Sequence, residues 1–382
     1  MRNVNRVACA AAVTTVALAL AAGTASASVR PTRVARWHGA ADAVFVQTDN
    51  TSGNEIVAYH RAPDGTLTEA GQYPTGGVGG ILAGSQVDHL ASQGSLAFDR
   101  RTGTLIAVNA GSDTLSVFGV RGDRLHLRQV TGSGGTFPVS VAIHGSLVYV
   151  LNALGGGSVH GYRLVFGRLV PLAGSARALG LNPAAAPQFT NTPGQVSFSP
   201  SGSQLIVTTK ANGNDIDVFG VRPDGRLSVA PVVNAEPGTV PFAVTFDRAG
   251  HLVVAEAGTD ALATYALNPT GSVTQLDAAA TGQAATCWVT PADGLLFASN
   301  AGSGSVSAFT DNTGGNLTLL GQTSTDAGTV DSAATPNGRF LYVQTGGNGI
   351  VDEFSIGATG GLTEIGSVTV PGSAGGEGIV AP

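Results

Sequence analysis

The chain has 382 residues, of which 55 are glycine, 43% are apolar and only 12% are charged. So much glycine disfavours long helices and favours short strands joined by tight turns, and the apolar content excludes a disordered chain because it can bury a sizeable core. The formal charge is −6, and a single lysine, Lys210, stands among 19 basic residues, a balance that argues against nucleic acid or an anionic membrane as partner.

In chain order, residues 1–27 read as a secretory signal: MRNVNR is a basic start, VACAAAVTTVALALAAG an apolar stretch, and Ala25-Ser26-Ala27 a small-residue cleavage site. The expectation is a secreted, extracellular protein. Cleavage would remove Arg2 and Arg6, taking the charge from −6 to −8. It would also remove Cys9 and leave Cys287, read as a small buried hydrophobe, without a disulfide partner. Residues 28–42 fit no later pattern and read as a lead-in. No later apolar run is long enough for a membrane span.

From residue 43 onward one unit recurs. It consists of an apolar strand, a turn with glycine, a second strand ending in a polar residue, a short Gly/Ser/Asn/Asp loop, a third strand closing on an aromatic, and a fourth strand opened by Gly-x-Leu. The second and third strands appear as AVFVQTDNTSGNEIVAY, LIAVNAGSDTLSVF, LVYVLNALGGGSVHGY, LIVTTKANGNDIDVF, LVVAEAGTDALATY, LLFASNAGSGSVSAF and FLYVQTGGNGIVDEF, seven copies in all. They close on Tyr59, Phe118, Tyr162, Phe219, Tyr265, Phe309 and Phe354. This period is that of a four-stranded propeller blade, and two wider intervals mark insertions before blades 2 and 4. The predicted fold is therefore all-β, a seven-bladed β-propeller over 43–382. The C-terminal GGEGIVAP resembles the innermost strand that the first unit lacks, so it is expected to close the ring. A closed ring with no free edge is expected to be a monomer.

These repeats, the strand pair LLFASNAGSGSVSAF and the Pro-x-Gly hairpins in FSPSGSQL and TPNGRFLYV resemble the seven-bladed lactonase family of 6-phosphogluconolactonase-like and carboxymuconate-cyclising proteins. The resemblance spans nearly all of 43–382. It implies a small lactone or organic acid as substrate and a site at the mouth of the central channel.

Aligning the second strands places Lys210 in register with Asp49, Asn109, Asn152, Glu256, Asn300 and Thr345. Aligning the innermost strands gives a second ring of Ser95, Ser140, Gln195, Ala243, Thr286, Asp331 and Glu377. Lactone hydrolysis needs a base to activate water and donors to hold the oxyanion. Glu256 is the candidate base, Lys210 or the asparagines the candidate donors, and Asp331 or Glu377 an auxiliary acid. Asn109, Asn152, Asn300, Gln195 and Glu377 are candidates for binding substrate, together with His89, the one histidine placed to reach the funnel. The alternatives are that the asparagines cap strand-end turns and that Lys210 and Glu256 form a structural ion pair.

No arginine falls on either ring, so a phosphorylated lactone is not the expected substrate. No cofactor motif is present and none is expected; an oxygen-ligand set of Glu256, Asn300, Asn152 and Asp331 is the one metal-dependent arrangement weighed, and no metal is assigned. The slots where the family's enzymes tend to place a histidine hold Gly94-Ser95, Val139-Ser140 and Gly194-Gln195. A non-catalytic propeller that binds a glycan, a cell-wall fragment or a protein therefore remains the competing reading. An open, water-filled channel would favour chemistry, and a plugged mouth would favour binding alone.

Overall fold

The computed structural model describes residues 42–382; the signal at 1–27 and nearly all of the lead-in at 28–42 lie outside the described residues. The described residues form seven antiparallel sheets around an axis, one per predicted unit. Six sheets have four strands, and blade 3 gains a short fifth, Arg177–Ala178, paired to its third strand.

Burial explains the layering. The second strands, such as Ala43–Gln47 and Leu252–Glu256, are buried at every residue because neighbouring blades cover both faces, so they read as continuous apolar runs. The outermost strands, such as Leu317–Ser324, are mostly exposed. The closing aromatics Tyr59, Phe118, Tyr265, Phe309 and Phe354 are almost wholly buried and fill the wedges between blades. Side chains also tie each blade to the next: the Tyr342 hydroxyl donates to Gly65 O at 2.6 Å and the Tyr149 hydroxyl to Gly225 O at 2.9 Å.

The C-terminus closes the ring as predicted. Ile379–Val380 pairs antiparallel with Ala43–Gln47, so the first blade takes its innermost strand from the end of the chain. Ile379 and Ala381 then join Val44, Val46 and Tyr59 of blade 1 and Phe340 and Tyr342 of blade 7 in one core.

Both predicted insertions are present. The first, residues 75–95, leaves blade 1 and crosses the axis before blade 2 begins. Its far end is held from four sides: His89 N donates to Gly375 O, Gln93 N to Gly194 O, Ser92 Oγ to Val139 O, and Trp288 Nε1 to Ser92 O. The Gln93 amide adds a two-way bond to the blade 6 backbone, donating to Val289 O at 3.0 Å and accepting from Val289 N at 3.1 Å. This route needs close backbone approaches. A Cβ on Gly346 would lie 1.6 Å from Val87 O and one on Gly79 1.9 Å from Asp49 O, so neither position has room for a side chain. The second insertion, between blades 3 and 4, carries the one-turn helix Gln188–Asn191.

Candidate functional site

Inter-strand pairing corrects the alignment of the polar rings. The aromatic at the end of each third strand faces a fixed second-strand residue: Leu205 faces Phe219, Leu252 faces Tyr265 and Leu296 faces Phe309. Four residues after that partner stand Thr209, Glu256 and Asn300, so the equivalent of Glu256 in blade 4 is Thr209, and Lys210 is one residue further on. The same count in blade 1, from the Val44 and Tyr59 pair, gives Thr48 in place of Asp49. A slip of one residue turns a side chain to the opposite face. Lys210 and Asp49 both leave the strand with left-handed backbone, at φ 53° and 52°.

Lys210 and Glu256 accordingly do not pair. Glu256 turns into its own blade, where its carboxylate accepts from the Tyr265 hydroxyl at 2.7 Å and from Thr259 Oγ1 at 2.9 Å. Asn109 and Asn300 do likewise. Asn109 Nδ2 donates to Thr114 and Ser116, and Asn300 Nδ2 to Ser305 and Ser307, in each case fastening the second strand to the third. Asn152 donates to Ser133 O. These bonds run to third-strand side chains and to the connection between blades 2 and 3, and not to the backbone of the strand-end turns.

β-Bulges interrupt the innermost strands of blades 3, 5, 6 and 7; Ser140, Ala243 and Asp331 keep their aligned positions, and the bulge in blade 6 displaces the aligned residue. Thr286 pairs with Asn300 and Trp288 with Ser299, so Trp288 and not Thr286 takes the ring position in blade 6. A bulge re-aims the side chains beside it. Here Phe242 of blade 5 and Cys287 and Trp288 of blade 6 are presented to one pocket. Gln195 instead bridges blades 4 and 5, accepting from Val244 N at 2.6 Å.

That pocket has a volume of ≈ 320 Å³ and lies beside the axis, between blades 4, 5 and 6 and the two insertions. Val87, Phe189, Val240, Phe242 and Trp288 give it apolar walls, and Lys210 and Asp88 both line it. Lys210 is almost fully buried. Its ammonium donates to Ala91 O and Phe189 O, each at 2.6 Å, one carbonyl from each insertion, and lies 5.1 Å from the centre of the Phe242 ring. An ammonium has three N–H donors, so one is left for a ligand.

Asp88 was missed by the repeat argument, because it belongs to an insertion with no register to align. The only signal was an acidic residue beside His89 in a Gly/Ser-rich stretch. Its carboxylate accepts from Leu90 N at 2.8 Å and Ser92 N at 2.9 Å. Burial raises its pKa to about 6, opposed by those backbone donors and by the Lys210 charge. Burial lowers Lys210 to about 7, opposed by Asp88. The Cys287 thiol is pushed up to about 12 by burial, so it stays protonated and packs as a hydrophobe, as its sequence context suggested. His89 points away from the pocket toward the C-terminal segment, and a Cβ on Gly375 would lie 2.1 Å from its Nε2.

The mouth of the channel is plugged by the first insertion, and under it lie buried carboxyls. Glu377 accepts from Gly94 N at 2.9 Å, and its own N–H donates to Asp49 Oδ2 at 2.8 Å. Asp331 hydrogen-bonds to Glu377 and to Ser332 N. Burial raises Asp49 and Asp331 to about 7, and burial with the charge of Asp331 raises Glu377 well above the usual range. None of the three lines the pocket. Of the weighed metal set, Glu256 and Asn300 are engaged inside their own blades, and Asn152 donates to the connection between blades 2 and 3. Among the described residues, the side chains at metal-ligand spacing are Asp247, His251 and Asp311. They sit on the hairpin end of blade 5 and the last residue of the third strand in blade 6, the opposite end of the strands from Lys210.

These carboxyls set a pH dependence of stability. Asp49 and Asp331 titrate at about 7 in the folded protein and at about 4 when unfolded. Between those values the folded state binds more protons, so stability is greatest at the acidic end of the window and falls as pH rises through 7. Lys210 acts oppositely, and only above about 7, where the folded lysine has released a proton that the unfolded one keeps. Melting followed by circular dichroism should therefore give a midpoint several degrees lower at about pH 7.5 than at about pH 5. Asp331→Asn should shrink that drop; a midpoint that rises over the range would contradict the assignment.

Comparison with known proteins agrees with this architecture. A family model described as "Lactonase, 7-bladed beta-propeller" matches residues 97–290 and 258–377. Curated proteins give no match to the sequence. Among solved structures, the periplasmic gluconolactonase of Pseudomonas aeruginosa superposes with a TM-score of 0.71 at 18% identity, covering 88% of this chain and 98% of that one. A Bacteroides uniformis protein described provisionally as a 6-phosphogluconolactonase gives 0.71 at 20% identity over 88% of this chain and 98% of its own. A Lactobacillus plantarum protein gives 0.70 at 21% identity over the same shares of the two chains. At such identities these neighbours carry the fold alone. With the family model matching well over half of the sequence and seven blades closed by the C-terminal strand, the chain belongs to the seven-bladed β-propeller lactonase family.

Proposed function

We propose that this protein opens the ring of a small lactone in the pocket beside the channel. The observation that carries the reading is that one ammonium, Lys210, and one carboxylate, Asp88, line the same apolar pocket of ≈ 320 Å³. Family membership supports the substrate class.

In this reading Asp88 is the general base. With its pKa raised to about 6 it is ionised at neutral pH and still basic enough to take a proton from water. The water oxygen attacks the lactone carbonyl carbon, and the remaining N–H of Lys210 stabilises the oxyanion that develops. The acyl C–O bond of the ring then breaks, and the proton held by Asp88 passes to the departing ring oxygen, giving a hydroxy acid. Run backwards, the same groups close the ring. Asp88 takes the part that the sequence assigned to Glu256, while Lys210 keeps the part assigned to it. On the composition of residues 1–27, the reaction is proposed to take place outside the cytoplasm.

The plugged channel favours a second reading, a propeller that binds such a ligand and leaves it unchanged. Incubating the purified protein with a panel of γ- and δ-lactones and following acid release with a pH indicator separates the two. Turnover above buffer on at least one lactone is expected, unaffected by a chelator. Binding with no turnover on any of them would overturn the hydrolase reading in favour of the second.

A further inference from the structure

We infer that the ligand of this pocket is a predominantly apolar lactone, or its hydroxy acid, carrying one oxygen-rich end toward Lys210 and an aryl or alkyl body against the aromatic wall, and not a polyol or phosphorylated lactone. The inference rests on the lactone reading above and adds the substrate class.

The walls carry the argument. Phe189, Phe242, Val87 and Val240 offer no hydrogen-bonding side-chain atoms, and beyond Lys210 and Asp88 the polar side chains of the lining are Ser85, Gln86 and Thr190, all from the two insertions. The single N–H of Trp288 is spent on Ser92 O at 2.7 Å, so its indole presents carbon to the cavity. A sugar lactone carries a hydroxyl on nearly every ring carbon, and each one buried without a partner costs about 1–3 kcal/mol. An alkyl or aryl body instead gains on the order of 25 cal/mol for each Å² it removes from water.

Charge limits the polar end. Among the described residues Lys210 is the only cation lining the pocket, and two of its three N–H donors are already committed to Ala91 O and Phe189 O. Asp88 lies beside it and repels a second negative charge. One carbonyl or one carboxylate is therefore matched, while a phosphate would meet no arginine and an unfavourable carboxylate. The volume, ≈ 320 Å³, lies at the small end of the range of roughly 300–1,000 Å³ that small-molecule pockets span.

Trp288 reports on occupancy. The chain has two tryptophans, so Trp37→Phe leaves Trp288 as the sole indole. Fluorescence titration of this variant with dihydrocoumarin, a bicyclic aryl lactone, and with glucono-δ-lactone should show saturable quenching by the first at least tenfold tighter than by the second. Ala257→Phe, which fills the pocket from blade 5, should abolish the quenching. Glucono-δ-lactone binding as tightly as dihydrocoumarin, no saturable dihydrocoumarin binding, or quenching that survives Ala257→Phe would each overturn the inference. Dihydrocoumarin binding with no turnover of any lactone in the panel would refute the hydrolase reading and leave this one standing; turnover of glucono-δ-lactone without dihydrocoumarin binding would do the reverse.

Discussion

Truncating the chain after Gly375 is expected to yield protein that does not fold to a stable monomer. The deletion removes the pairing of Ile379–Val380 with Val46 and Phe45 and the bond from Gln47 N to Gly378 O. Ala43–Gln47 then becomes an open edge of unpaired N–H and C=O groups on a strand apolar at four of its five residues, the kind of surface that aggregates. Glu377 is lost as well, and with it the acceptor that holds Gly94 N and the carbonyl that receives Ser95 Oγ at 2.8 Å. The insertion over the channel therefore loses an anchor along with the ring. Ile379→Ala is the graded form of the experiment. It leaves the strand in place and removes a side chain that is 4% exposed, at a cost of about 2–5 kcal/mol. Chemical denaturation measures it, and a truncated protein that melts like the full chain would refute the role of the C-terminal strand.

The second large effect is expected at Lys210. Lys210→Met keeps the length and apolar stem of the side chain and removes the donor proposed to face the oxyanion. The loss in kcat should be roughly 10²–10³-fold, the range seen when one oxyanion donor is removed. Asp88→Asn should lose a comparable factor, because an amide cannot take the proton from water, while its carbonyl oxygen can still accept from the backbone. Glu256→Gln should retain most of the activity, since its carboxylate is engaged with Tyr265 and Thr259 inside blade 5. That contrast separates the pocket from the alignment that suggested Glu256.

The fold was legible because the propeller writes itself into sequence as a period. Seven closing aromatics and the buried second strands show the blades directly, and the unmatched first unit pointed to the C-terminal strand that completes it. The site was less legible, for three physical reasons. The bulge in the innermost strand of blade 6 puts Trp288 where a gapless alignment puts Thr286. Lys210 leaves its strand in left-handed backbone, so the ring position belongs to Thr209 and the ammonium turns to the pocket, away from Glu256. Asp88 stands in an insertion that no repeat predicts, and the role proposed for it follows only from where residues 75–95 cross the axis. His89, its neighbour in sequence, lies instead against Gly375 of the C-terminal segment.

The measurement that tests the central claim most directly is the pH dependence of kcat/KM on a lactone that the protein turns over. The account requires Asp88 ionised and Lys210 protonated at once, so the profile should be a narrow bell, rising with a pKa of about 6 and falling with one of about 7. Asp88→Asn should remove the acidic limb from whatever activity survives, and Lys210→Met the alkaline limb. A profile that is flat across this range, or one that keeps both limbs in both variants, would contradict it and move the chemistry away from this pocket.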